Sequence, residues 1–351
     1  MNIIYLSPVS WNSIAQRPHF FAKNCLEQGV ENFYWIQPTA SRFPKLSDFR
    51  TKVVGVESKG IEKPSNLHIL NCSGLLPIEP LEDIYSKLNH VAIKYFIGKL
   101  QAIGFDSNNT ILISGKPSRL ALHMIEGFTF KKIIFDIMDD YPYFFDGIAS
   151  KSVANLLTRS LSLSDEVWFS STGLFDKYKD NTTVSKVIRN ACDSSFVQSL
   201  QGVEKVNSDY CVYGYIGSIA SWFDWDFVIK LAKSKPDSVV RLIGPCYTKL
   251  PDLPDNISVE PAVEHSEIAS LLVSFDYGLI PFKLDELTEA VDPVKYYEYV
   301  AAGIPIISTA FGEMKHRVNE GKVLTLEMHL NGCMPKENEV ITWEDRFKDI
   351  F

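Results

Sequence analysis

The 351-residue sequence has no pair of cysteines at CxxC spacing. Its six cysteines, Cys25, Cys72, Cys192, Cys211, Cys246 and Cys333, are scattered, so neither a zinc site nor a disulfide framework is indicated, and they read as reduced core thiols. Basic residues are not in excess: 35 Lys and Arg against 43 Asp and Glu give a formal net charge of −8. A general nucleic-acid binder would need a phosphate-neutralising basic surface and is disfavoured. No uninterrupted apolar stretch reaches the ~18 residues that span a bilayer, and "MNIIYLSPVS" carries no basic segment ahead of its apolar run, so a cytoplasmic protein is expected. Short-period repeats and low-complexity segments are absent. "YLSPVSWNS", which follows the first apolar run, holds no glycine, so the GxGxxG dinucleotide fingerprint is missing and an NAD-dependent reading is lowered.

What is present is a hydrophobic fraction of 46% and a charged fraction of 22%, those of a globular chain with a full core, at a length suited to two domains. In the first half, short β-rich runs ("NIIYLSP", "NFYWIQP", "TILISG", "KKIIFDIMDD", "EVWFSS", "KVIRNA") alternate with helical stretches such as "RPHFFAKNCLEQG" and "LEDIYSKLNHVAIKYFIGKLQ". Alternation of this kind implies a parallel sheet covered on both faces. A polar stretch beginning at Cys192 interrupts it, and it restarts with "YCVYGYIGS", "SVVRLIG", "NISVEP", "DYGLIPF" and "PIISTA". The fold class is therefore α/β with two Rossmann-like lobes, expected at 1–195 and 205–330, followed by a terminal helix within 340–351 capped by Thr342.

"DPVKYYEYVAAGIPIIST", at 292–309, reads as a helix opened by Asp292 and Pro293 and closed near Gly303, then a buried strand from Ile304 to Ser308. Lys295 and Glu298, three apart, share one helix face at the end where ligands of α/β sheets collect. "YGYIGS" ends a strand in Gly214-x-x-Gly217 followed by Ser218; the backbone there suits close approach by a phosphate, or a tight turn. "FDIMDDYPYF" gathers Asp136, Asp139 and Asp140 at the C-terminal end of a strand. There they suit deprotonation of a hydroxyl, sugar binding, turn and cap chemistry, or, less favourably, Mg²⁺. Arg17 and His19 flank Pro18 at the start of the first helix, where they either contact a ligand or anchor the helix. "HVAIKYFIGKLQAIGF" mixes apolar residues with Lys94 and Lys99; an ordinary packed helix is the favoured reading, a membrane contact the other.

Taken in order, "WNSIAQRPHFFAKNCLEQG", "FDIMDDYPYF", "SDEVWFSS", "VIRNACDSSF", "YGYIGSIASWFDWDFVIKLA" and "FDYGLIPFKLDELTEAVDPVKYYEYVAAGIPIIST" resemble bacterial glycosyltransferases of the GT-B fold, in particular those that build capsular, teichuronic-acid-like or exopolysaccharide chains. The resemblance implies two lobes whose parallel sheets face a central cleft, with a terminal helix crossing back to the N-terminal lobe. It also implies transfer, without a bound metal or other cofactor, from a nucleotide-diphosphate sugar (a UDP-sugar is favoured) to a glycan or lipid-linked acceptor in capsule, exopolysaccharide or lipopolysaccharide assembly. The place of work would be the cytoplasm, at the inner face of the membrane.

On this resemblance Gly217, Ser218, Val263, Pro293, Val294, Lys295 and Glu298 hold the donor. Lys295 and a helix N-terminus neutralise the diphosphate, and Glu298 accepts from the ribose hydroxyls. Asp139 or Asp140 is the base of an inverting displacement, and Arg17, His19 and Asp136 meet the acceptor. Retaining relatives carry a further acid eight residues before the ribose-binding one. That position is Ala290, with Glu289 one residue off, so retention or inversion stays open. The alternatives are a sugar-nucleotide epimerase of the same fold and a catalytically silent nucleotide-sugar-binding subunit.

Overall fold

The computed structural model describes residues 1–40, 62–205 and 208–351, and the chain divides into two compact units. The first comprises Met1–Ile188 together with Asp349–Phe351. Its strands are β1 (Asn2–Leu6), β2 (Asn32–Ile36), β3 (Leu67–Leu70), β4 (Thr110–Ser114), β5 (Lys132–Ile137), β6 (Glu166–Phe169) and β7 (Ser185–Val187). They form one parallel sheet in the order β3-β2-β1-β4-β5-β6-β7. β1 and β4 are buried along their whole lengths, which is why "NIIYL" and "TILIS" run apolar without alternation: helices cover both faces. β3 escaped the sequence reading because "LHIL" is a short edge strand with a polar, partly exposed flank.

Among the described residues the helices of this unit are α1 (Arg17–Glu27), α2 (Glu82–Ile103), α3 (Arg119–Gly127), α4 (Gly147–Ser162) and α5 (Thr172–Tyr178). The chain runs from β1 outward to β2 and β3, then returns to β4 on the other side of β1. The C-terminal ends of β1 and β4 therefore diverge, as at the ligand crevices of doubly wound sheets. Under this edge Tyr5, Phe21, Phe33 and Trp35 form an aromatic cluster with ring centroids 5.6 to 6.0 Å apart, all four essentially inaccessible.

The second unit, Arg189–Lys348, repeats the plan. β8 (Val212–Ile216), β9 (Val239–Ile243), β10 (Ile257–Glu260), β11 (Tyr277–Ile280) and β12 (Ile306–Ser308) pair in parallel in the order β10-β9-β8-β11-β12, with the reversal between β8 and β11. Its helices are α6 (Ser194–Ser199), α7 (Trp225–Ser234), α8 (Ile268–Val273), α9 (Glu286–Glu289), α10 (Val294–Ala301), α11 (Gly312–Asn319), α12 (Leu326–Leu330) and α13 (Trp343–Phe347). Gly214 lies within β8, where the Phe275 ring occupies the space a Cβ would need. It is a packing glycine, not half of a phosphate loop.

The expected boundaries shift. The first unit ends at Ile188, not 195, and α13 belongs to the second unit. There Cys192 N–H donates to Ile341 O at 2.9 Å, Trp343 N–H to Cys192 O at 3.0 Å and the Ser194 hydroxyl to Glu344 at 2.8 Å. The last three residues, Asp349–Phe351, belong to the first unit. Asp349 turns the chain with a φ of 56°, a conformation Asp tolerates, and Phe351 sets its ring 6.1 Å from those of Phe21 and Trp168.

Candidate functional site

In the second unit, Gly217 and Ser218 leave β8 where the strand order reverses. Gly217 has φ 149°, and a Cβ there would come within 2.5 Å of the Lys295 ammonium, so only glycine allows the lysine to lie against this turn. Lys295 comes from the first turn of α10, and its Nζ stands 5.6 Å from the centroid of the Tyr215 ring. The Tyr215 hydroxyl in turn donates to Ser218 O at 2.8 Å. Among the described residues the Lys295 ammonium has no hydrogen-bond or ion-pair partner. Part of the residue reaches solvent while the amine itself is crowded by protein. That burial lowers its pKa, against a weaker upward pull from Glu298. Glu298 follows three residues later, on the same helix face and partly exposed.

Asp292, read from the sequence as opening this helix with Pro293, does not cap it. The N-cap is Pro293, without any side-chain bond. The Asp292 carboxylate is buried and accepts from Arg317 at 2.7 Å, the Tyr297 hydroxyl at 2.9 Å and Asn190 N–H at 2.7 Å. Arg317 also stacks 3.6 Å over the Tyr296 ring. With Asp292 diverted, no side chain caps the first turn of α10, and the positive end of its dipole meets no capping carboxylate. Pro293 is buried, Val294 is 41% exposed, and Val263 lies past β10, two strands from β8, packed on the core of this unit. Ala290 ends α9 and is buried; Glu289 is exposed.

In the first unit the acids of "FDIMDDYPYF" part company. Asp136 and Arg17 form a buried two-point ion pair, Nε to Oδ2 at 3.2 Å and Nη2 to Oδ1 at 2.7 Å, while Arg17 Nη1 donates to Ile188 O at 2.6 Å. Both were expected to meet the acceptor; instead they hold the start of α1 to β5 and the end of β7. His19, expected beside them, is fully buried against Trp11 and Trp35. Its Nδ1 accepts from Gln16 N–H at 3.2 Å, which puts the proton on Nε2, facing Ser10 O and Trp11 O at 3.1 Å each. Burial lowers its pKa, so it is a neutral helix anchor.

Asp140 is likewise engaged. It is 3% exposed and accepts from Lys177 at 2.5 Å and the Tyr178 hydroxyl at 2.6 Å, which removes it as a base. Asp139 differs. The residue is exposed, and among the described residues nothing donates to its carboxylate. Desolvation by the surrounding protein, and secondarily the charge of Asp140, push its pKa up to about 6.

Sequence reasoning missed the pocket nearby. A cavity of about 500 Å³ opens at the C-terminal edge of the first sheet, with Pro8 from the end of β1 and Lys116 from the end of β4 in its wall. Tyr141, Phe144 and Phe145 line it, and the Tyr141 hydroxyl donates to Gly115 O at 2.6 Å. Glu79, also in the wall, has its pKa raised by burial and is drawn back by Lys116. Lys116, whose Nζ donates to Thr39 O at 2.7 Å, is shifted in the opposite sense. The readable signal was "SGKP" straight after a buried strand at the reversal of strand order.

No family model matches the chain. Over 128 residues, 34% of this chain, it is 30% identical to TuaH of Bacillus subtilis (strain 168), named for a proposed glycosyltransferase role in teichuronic acid biosynthesis, and the match spans 30% of that protein's length. Among solved structures it is similar to sucrose-phosphate synthase of Thermosynechococcus elongatus, at 12% identity and a TM-score of 0.62 over 94% of this chain and 88% of that one. It is also similar to HepE of Anabaena in complex with UDP, at 13% identity and 0.58 over 100% and 94%. Identities this low show the fold alone.

Proposed function

We propose, from the premise that this chain has the GT-B fold of those structures, that it is a glycosyltransferase using a nucleotide-diphosphate sugar as donor. The observation that carries the reading is Lys295: a crowded cation with no partner among the described residues, lying on a glycine at the strand reversal and at an uncapped helix N-terminus. Such a place is built for an anion. The diphosphate would sit between the Lys295 ammonium and the first-turn amides of α10, with Gly217 and Ser218 lining its approach and Glu298 accepting from the ribose hydroxyls. UDP is favoured as the nucleotide because the similar Anabaena structure holds it.

The acceptor hydroxyl would give its proton to Asp139 as its oxygen attacks the anomeric carbon. The bond from that carbon to the diphosphate oxygen breaks, and the nucleoside diphosphate leaves with the charge that Lys295 offsets. Ala290, in place of the acid of retaining relatives, favours this inverting course. The acceptor is a glycan or lipid-linked saccharide of surface-polymer assembly, a proposal supported by the partial match to TuaH and placed at the inner face of the membrane.

A panel of nucleotide sugars screened by thermal shift tests the reading, since a ligand at ~100 times its Kd stabilises by about 2.7 kcal/mol. One nucleotide sugar raising the midpoint and yielding a glycosylated product is expected. Binding with no product from any acceptor would favour the silent subunit, and interconversion of free donor sugars the epimerase.

A further inference from the structure

α2 has two apolar faces. Tyr85, Asn89, Ile93, Phe96 and Leu100, spaced by three or four, are buried against the first unit. Such a helix is expected to turn a polar face to water. Instead Ile84, Leu88, Val91 and Tyr95, at spacings of four, three and four, line up on the outer side and are 42%, 59%, 78% and 62% exposed. Over roughly 17 Å of helix they make a continuous stripe. At 100° per residue Lys87 and Lys94 border it on one side and Lys99 on the other, and all three are exposed. The Lys99 ammonium lies 4.6 Å from the centroid of the Tyr95 ring, so it stays at the edge of the stripe. Residues 84–105 contain no Asp or Glu, in a chain whose net charge is −8.

We infer that this outer face of α2 docks on an anionic lipid bilayer, with Leu88, Val91 and Tyr95 entering the interface and Lys87, Lys94 and Lys99 meeting the headgroups. Charge complementarity selects that occupant. An apolar stripe bordered by lysines, with no acid among them, fits an interface that is apolar below and negative at its surface. A second copy of this chain would bring the same lysines against themselves. No helix among the described residues is long and apolar enough to cross a membrane, so contact would be along the surface.

The inference also bears on the acceptor, and in this clause alone it rests on the proposed glycosyltransferase reading. Arg119 ties the first turn of α2 to the pocket: its Nε donates to Glu79 O at 2.7 Å and its Nη1 lies 3.6 Å from Glu82. A docked α2 would hold that pocket beside the bilayer, where a lipid-linked acceptor keeps its saccharide.

The test is co-sedimentation with phosphatidylcholine vesicles and with vesicles of phosphatidylcholine and phosphatidylglycerol. The wild type would be compared with L88S/V91S/Y95S and with K87Q/K94Q/K99Q. Binding to the anionic vesicles is expected, reduced about tenfold or more in either triple variant, with thermal midpoints little changed because all six side chains are exposed. Failure of the wild type to sediment, or equal binding by all three proteins, overturns the inference. So does a concentration-dependent dimer that the apolar triple variant abolishes, because the face then belongs to a second copy. Calorimetric titration of UDP without vesicles separates the two proposals: UDP binding without vesicle binding leaves the donor reading standing and removes this one, and the converse does the reverse.

Discussion

Lys177 donates to the Asp140 carboxylate at 2.5 Å, and the adjacent Asp139 has no donor among the described residues. Two neighbouring acids thus have separate employments. Asp140 fastens the loop after β5 to α5, whereas the Asp139 oxygens, left without a protein donor among the described residues, are those proposed to take the acceptor proton. The asparagine variants are expected to diverge: Asp139→Asn lowers kcat by roughly 10²-fold or more with little change in donor affinity. Asp140→Asn keeps kcat within about tenfold and lowers stability by roughly 1 kcal/mol, a modest cost because Lys177 is half-exposed. Steady-state kinetics and denaturant unfolding of both proteins check this. A larger kcat loss in Asp140→Asn reverses the assignment.

The raised pKa of Asp139 sets a pH dependence. A base must be ionised, so kcat is expected to fall as pH drops through about 6, and the limb should vanish in the residual activity of Asp139→Asn. The linked stability runs the other way. The folded state holds this proton more tightly than the unfolded chain, so the contribution of this group is fully present below the ordinary carboxylate range and is lost as pH rises through about 6. A kcat profile flat between pH 5 and 7, to be measured at about half-unit steps, contradicts the role.

Arg17 and Asp136 are expected to act on folding, not on turnover. Removing either leaves a buried charge alone, so Arg17→Ala and Asp136→Ala should each cost about 3–5 kcal/mol, and the double variant less than their sum. A double-mutant cycle in urea measures the coupling. Wild-type stability with lost acceptor affinity would restore them to the acceptor site.

Turnover is expected to survive chelation, because Lys295 and the amides of α10 offset the diphosphate charge in the proposed mechanism. Assay in excess EDTA decides it, and complete loss reversed by Mg²⁺ or Mn²⁺ would contradict it.

Both sheets were legible because buried parallel strands leave apolar runs: "NIIYL" and "TILIS", buried throughout, became β1 and β4, and "VVRLI", buried at Val240, Leu242 and Ile243, became β9. The helix within 292–309 was legible from Pro293 and from Gly303, which has φ 69° past its end. Long-range partners were not. That Asp292 serves Arg317, 25 residues on, and Asp140 serves Lys177, 37 residues on, follows from tertiary packing, which propensity and spacing do not encode. Arg17, His19 and Asp136 misled for a related reason. Polar residues at the ligand edge of a sheet read as binders, yet an ion pair or a neutral histidine is also a way to fasten a helix there.

The central claim is that Lys295 and Glu298 hold a nucleoside diphosphate. Calorimetric titration of the wild type, Lys295→Ala and Glu298→Gln with uridine and with UDP tests it most directly. Each lost charge-assisted contact is worth about 1.5–3 kcal/mol. Lys295→Ala should therefore lose roughly 10- to 100-fold in UDP affinity with uridine unchanged, and Glu298→Gln should lose affinity for both. Wild-type UDP affinity in a folded Lys295→Ala protein would contradict the claim and leave α10 as scaffold.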